Sequence, residues 1–233
     1  MTRHALVVRG GWEGHVPAEA TGLFIPGLAD AGFDVTVADD LDVYTDADLL
    51  AATDLVVQCW TDGALTGRQS AGLLSAVEAG TGFAGWHGGV VAAFDDRAYH
   101  RMVGGLFLCH PGDSVEYDVV IDPARAGHPI VAGLEGFTLH TEQYWMLTDS
   151  LNDVLATTTL APTGGGPHAL PVPMPVVWTR RWGAGRVFFS AIGHDLADLT
   201  HPTVYALTLR GLLWAGRAGS GGAGGGGQRP GRA

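Results

Sequence analysis

Three histidines and one glutamate stand where this chain is best equipped to do chemistry. His87 lies in Gly85-Trp86-His87-Gly88-Gly89, His15 closes the stretch Gly10-Gly11-Trp12-Glu13-Gly14-His15, and His194 sits in Gly193-His194-Asp195. Glu142 has imidazole and aromatic neighbours in His140-Thr141-Glu142-Gln143-Tyr144-Trp145. Imidazole titrates near neutrality, and a carboxylate among rings loses hydration, which raises its pKa. Those are the properties of a general acid–base set. His87, Glu142 and His194 are therefore the predicted catalytic residues, with Glu142 as proton acceptor or donor and His194 as the partner that orients or charges it; an exposed strand glutamate with Tyr144 on the same face is the alternative for Glu142.

A small-X-small turn between strand and helix is the geometry of a nucleophile elbow, in which the middle residue is strained and exposed. Here the elbow holds His87 where a hydrolase of that design has serine or cysteine; a plain glycine-rich turn is the alternative. His110, in Cys109-His110-Pro111, is pushed by the following proline to an extended or turn conformation near the surface. No elbow surrounds Cys59 or Cys109, and both read as small hydrophobes. Histidines and a carboxylate also suit a divalent metal such as zinc. No HExxH pair fixes two ligands on one helix, so a site made of His15, His87, Glu142 and His194 has to be assembled from distant segments. The spacing alone gives it no support.

Elements must bring these residues together. Residues 4–9, 33–38, 55–60 and 82–87 read as short apolar strands, and 17–30 and 66–79 as helices, with Pro17 in a first turn and Gly32 and Gly80 at C-terminal ends. Strands alternating with helices imply βαβ units and a parallel sheet covered on both faces. In such sheets ligands bind at the carboxyl edge of the strands, where His15, Thr61, Asp62, His87 and His194 all fall. The second half is predicted to add strands at 115–121, 137–144, 154–159, 176–181 and 186–191 and a closing helix at 202–215. Residues 162–175 hold five prolines and three consecutive glycines, and read as a loop that no strand crosses. One α/β domain over 1–216 with additional antiparallel strands is expected, followed by a disordered glycine-rich tail at 217–233.

Composition narrows the function. The 233 residues carry 13 Lys+Arg against 24 Asp+Glu, a formal charge of −11. All the cations are arginine, which excludes Schiff-base and P-loop lysine chemistry. An acidic chain with few cations is a poor partner for a phosphate backbone, so nucleic acid is not expected. The uncharged stretch 79–94 is too rich in glycine to span a membrane, and the N-terminal apolar run is too short for a signal peptide. Two cysteines make no disulfide framework. A cytoplasmic location is expected, and exposed sheet edges in the second half could pair in a homodimer.

Several of these segments together resemble the ThuA-like (trehalose utilisation) family. They are Gly82-Phe83-Ala84-Gly85-Trp86-His87-Gly88-Gly89, Tyr99-His100-Arg101-Met102-Val103-Gly104-Gly105-Leu106-Phe107, His110-Pro111, His128-Pro129-Ile130, Thr141-Glu142-Gln143-Tyr144, Pro175-Val176-Val177-Trp178, and Gly183-Ala184-Gly185-Arg186-Val187-Phe188-Phe189 followed by Gly193-His194-Asp195. The resemblance implies a class I glutamine amidotransferase-like fold with a flavodoxin-like parallel sheet. It also implies a role in sugar metabolism, around trehalose-related disaccharides or oxidised (keto) sugars. Amidotransferases of that superfamily carry cysteine at the elbow and a later His-Glu pair; this chain has histidine at the elbow and no His-x-Glu after its last strands, which argues against a cysteine-dependent glutaminase. Sugars stack on aromatic faces and bond to imidazole and carboxylate groups. Trp12, Trp60, Trp86, Tyr144, His15 and His110 are therefore expected to bind substrate. A non-catalytic sugar-binding or regulatory protein and a metal-dependent hydrolase are the alternatives.

Overall fold

The computed structural model describes residues 2–162 and 168–217. In the first half, β1 (Arg3–Gly11), β2 (Phe33–Ala38), β3 (Leu55–Thr61) and β4 (Gly82–Trp86) alternate with α1 (Pro17–Gly22), α2 (Ile25–Asp30), α3 (Ala47–Ala52) and α4 (Gly67–Ala79). There follow α5 (Gly88–Val91), α6 (Arg97–Val103), β5 (Gly105–Cys109), β6 (Ser114–Ile121), β7 (Phe137–Glu142), β8 (Trp145–Thr148), β9 (Asp153–Leu160), β10 (Val172–Trp182), β11 (Gly185–Ser190), α7 (Leu196–Thr200) and α8 (Pro202–Ala215). Nine strands form one sheet in the order β2-β1-β3-β4-β11-β10-β9-β6-β7, and β5 pairs with β8 separately. The β2–β1–β3–β4–β11 half is parallel, and every pair beyond β11 is antiparallel. This is the expected α/β architecture.

Apolar runs explain the parallel half. Ala5, Leu6, Val7, Val8, Leu55, Val56, Val57, Phe83 and Ala84 are all buried, because helices cover both faces of the sheet. Phe188 lies beneath Gly211 of α8, whereas Gly185 lies against Val77 of α4. Three residues apart on one strand, they point to opposite faces, so α8 and α4 cover opposite sides. The N-terminus of α4 carries a capping box, in which Thr66 and Gln69 satisfy each other's backbone groups.

The structure departs from the sequence reading in several places. The strand expected at 4–9 continues through Gly10 and Gly11, so the glycine stretch begins as strand and only Glu13–His15 turns. The helix expected at 17–30 is broken between α1 and α2. The strand expected at 137–144 stops at Glu142, and Trp145 begins β8. β10 starts at Val172 and so crosses Pro173 and Pro175. It can do so because β11 pairs only from Val177 onward, leaving the prolines no ladder bond to break on that side. α3, α6, β5, β8 and α7 were not foreseen.

Arg217, placed in the expected tail, is ordered. Its guanidinium donates to Gly80 O at 3.3 Å and to Thr81 Oγ1 at 3.0 Å. The rest of that tail, 218–233, lies outside the described residues, as do 163–167 of the expected proline-rich loop. No helix among the described residues is long and apolar enough to cross a membrane.

β4 aims His87, and its fit against β3 depends on Gly85. A Cβ there falls 2.2 Å from Gln58 O and 2.5 Å from Val90 Cγ2. Gly85→Ala is expected to lower the unfolding free energy by about 1–3 kcal/mol, as overpacking does. Urea denaturation checks this, and an unchanged midpoint would refute it.

Candidate active site at the carboxyl edge of the sheet

Parallel strands end on one edge, and four of them deliver side chains there. His15 ends the short turn after β1, Thr61 ends β3, His87 follows β4, and His194 follows β11. The second half supplies Glu142, the last residue of β7, and Tyr144 just beyond it.

His87 adopts φ 51° and ψ −146°, a region that costs an L-residue of the order of 1–3 kcal/mol. Hydrogen bonds hold it there. Its backbone N–H donates to Ser190 O at 2.7 Å, and Nδ1–H donates to Ala191 O at 2.8 Å. A carbonyl only accepts, so the proton is on Nδ1 and Nε2 presents a lone pair when the ring is neutral. That Nε2 faces the Tyr144 hydroxyl at 2.7 Å and Glu142 Oε2 at 3.1 Å. Tyr144 also stacks on the imidazole, with centroids 4.2 Å apart.

Three imidazoles surround the carboxylate. The rings of His15 and His87 lie 4.9 Å apart, His15 and His194 5.4 Å, and His87 and His194 5.6 Å. His194 Nδ1 lies 3.4 Å from Glu142 Oε1, and His110 Nε2 lies 3.7 Å from the same oxygen. His15 Nδ1 is bonded to Thr61 Oγ1 at 2.8 Å. Room for this ring comes from Gly88, where a Cβ would fall 2.5 Å from His15 Cε1. One donor atom from each of His15, His87, Glu142 and His194 lies within 4.8 Å of the others, so among the described residues these four could together hold a metal ion.

The electrostatics follow from this crowding. Burial would raise the Glu142 pKa, but the hydrogen bond with His87 and the charges of His87, His194 and His110 bring it down to about 2. The expectation of a raised glutamate is thus corrected: the neighbouring imidazoles outweigh desolvation. His15 is driven down to about 3 by burial, then by His87 and His194, with Glu142 opposing. Burial and the Glu142 charge push the Tyr144 phenol well up. At neutral pH the site therefore holds an ionised carboxylate, a neutral His15 and a protonated tyrosine.

Of the residues singled out from sequence, His15, His87, Glu142, His194, His110 and Tyr144 come together. Trp12 is half exposed beside them, its ring 4.7 Å from that of His15. Trp60 packs on Gly10 and Gly63 and is partly buried. Trp86 is a correction: it is 2% exposed against Phe24 and Gly193, and has no open face for a sugar. β-Strand alternation turns it inward. Cys59 is buried and its thiol is pushed up to about 12 by desolvation, while Cys109 is exposed rather than buried as expected.

Asp198 was missed. It is buried and accepts from Thr141 Oγ1 at 2.6 Å and from the His194 backbone N–H at 3.0 Å. One carboxylate thus ties the residue before Glu142 to the turn that carries His194. The spacing from Asp195, which caps α7 through the Asp198 N–H, was the available signal.

The fold recurs in solved structures. A thua-like protein from Bacteroides uniformis is 21% identical with TM-score 0.72, the match covering 91% of each chain. One from Parabacteroides merdae is 19% identical with TM-score 0.74, over 92% of this chain and 90% of that one. Cytoplasmic protein STM1381 from Salmonella typhimurium is 14% identical with TM-score 0.63, over 93% and 100%. No curated protein matches the sequence. The family described as ThuA, trehalose utilisation, matches residues 4–215. Family match and shared fold agree with the succession of motifs from the first strand to the last helix: the chain belongs to the ThuA (trehalose utilisation) family.

Proposed function

We propose that this chain is an enzyme of carbohydrate metabolism that transfers a proton at a hydroxyl or carbonyl of a sugar or keto-sugar, with trehalose-related disaccharides as the substrate class. The observation that carries this reading is the convergence of Glu142 with His15, His87, His194 and Tyr144 at the edge where parallel sheets bind ligands. Family membership supports the carbohydrate assignment. An ionised Glu142 suits the acceptor of a substrate proton, His87 steadies its charge, and the Tyr144 hydroxyl stands beside both as a donor.

The surroundings suit a sugar. A hollow of about 450 Å³ is lined by Asp62, Phe94, Asp95, His100 and Phe107; His15, His87, Glu142, His194 and Tyr144 do not line it, but Asp62 follows Thr61 and Phe107 packs on Tyr144 at 4.4 Å. It offers the mix of carboxylate, imidazole and aromatic faces by which sugars are held, and the half-exposed Trp12 stands beside His15.

Replacing Glu142 with Gln keeps the shape and removes the charge. Turnover is expected to fall roughly 10²–10⁴-fold, the usual contribution of a general base, while the melting temperature stays within about 3 °C of the parent. Chromatographic assay on a panel of disaccharides and their oxidised forms reads the first, calorimetry the second; full activity in Glu142→Gln would refute the role. Tyr144→Phe removes only the hydroxyl beside His87 and is expected to lower kcat at least about tenfold. Steady-state kinetics check it, and an unchanged kcat would remove Tyr144 from the machinery.

A further inference from the structure

The geometry points to a binding site for one divalent first-row transition ion of the zinc class, held by His15, His87, Glu142 and His194. The inference rests on the same side chains as the proposed function and deepens it, but binding can be tested with no sugar present.

The outward nitrogens are already engaged. His87 Nδ1–H donates to Ala191 O, and His15 Nδ1 is bonded to Thr61 Oγ1, each at 2.8 Å. Metal-binding imidazoles use this arrangement: an outer partner fixes the ring and commits the other nitrogen to the ion. His87 Nε2 lies 3.1 Å from Glu142 Oε2, a separation that either a proton on Nε2 or a cation between the two atoms satisfies, and His194 Nδ1 lies 3.4 Å from Oε1, that nitrogen buried and without a hydrogen-bond partner among the described residues. A lone pair and a carboxylate oxygen repel unless a cation lies between them. A proton relieves one such pair; a divalent ion relieves all four donors together.

Dimensions and donor chemistry agree. Tetrahedral coordination at about 2.0–2.1 Å sets neighbouring ligand atoms about 3.3–3.4 Å apart, close to the two separations above. Three imidazoles and one carboxylate select zinc or its neighbours over magnesium and calcium, which prefer oxygen ligands. His110 and Tyr144 stay outside the set, at the rim. A bound ion would be held by these four side chains and would supply Lewis-acid polarisation of a substrate oxygen, and Glu142 would then serve as a ligand, keeping its proton-accepting role only in the chain without the ion.

The full chain without an affinity tag, stripped with chelator and dialysed against zinc, is expected to retain about one ion per chain by plasma mass spectrometry and none after dialysis against magnesium alone. Replacing both His15 and His194 with Ala should abolish retention. Thr61→Val, which removes only the partner of His15, should weaken zinc binding roughly 10–100-fold in competition titrations. His140→Ala, on the exposed face of β7, should keep the full equivalent. Wild-type chain that retains less than about a tenth of an ion overturns the inference without any variant; so does a full equivalent in the His15/His194 double variant. Sugar turnover by wild-type chain that also fails to retain zinc overturns the metal site and leaves the proposed function standing. One tightly bound zinc with no turnover of any sugar supports the site and counts against the function.

Discussion

Three imidazoles and a carboxylate meeting at one point is the constraint around which the rest of the structure is arranged. Glu142 and the nitrogens of His87 and His194 are held 3.1–3.4 Å apart, closer than electron-rich atoms settle without a positive charge among them. Such crowding costs folding energy unless neighbours enforce it. Enforcement comes from hydrogen bonds that lead away from the centre: Ala191 to His87, Thr61 to His15, and buried Asp198 to both Thr141 and the His194 backbone. The unfavourable φ of His87 belongs to the same pattern, in which local strain is tolerated at a functional site because packing around it over-determines the conformation.

The two halves of the sheet have different duties. The parallel half is almost wholly apolar and rigid, and it delivers three histidines to one edge because parallel strands share a direction. The antiparallel half adds a carboxylate and a phenol from strands that reach the same edge by another route. Neither half contains the centre. Glu142 would be an ordinary strand-end glutamate without β4 and β11, and without it His87 and His194 would lack the carboxylate that their ring nitrogens face.

Much of this was legible in the sequence. Phe33–Ala38 alternates with period two and forms β2 with those bounds, and Pro202–Ala215 forms α8 from its N1 proline to Gly216. His87 and His194 stood out because each follows a strand, and Glu142 because of its imidazole and aromatic neighbours. Spacing could not show that they meet, since residues 87 and 142 are joined by a register that depends on β11 inserting between β4 and β10. The Glu142 pKa was misjudged for the same reason: flanking residues suggested desolvation, while the dominant charges come from segments far along the chain. Trp86 was misread because aromatic rings beside a site and aromatic rings beneath it look alike in one dimension. Short elements such as α7 and β8 lack enough residues to display a period, and proline in β10 is acceptable only because its partner strand is shorter.

A crystal structure of the zinc-soaked chain, with anomalous differences recorded on both sides of the zinc edge, tests most directly whether the electron-rich centre is built around a cation. One peak is predicted, about 2.0–2.2 Å from a nitrogen of each of His15, His87 and His194 and from a Glu142 oxygen. A map with no peak there, and with the imidazoles bonded only to protein or water, would contradict it.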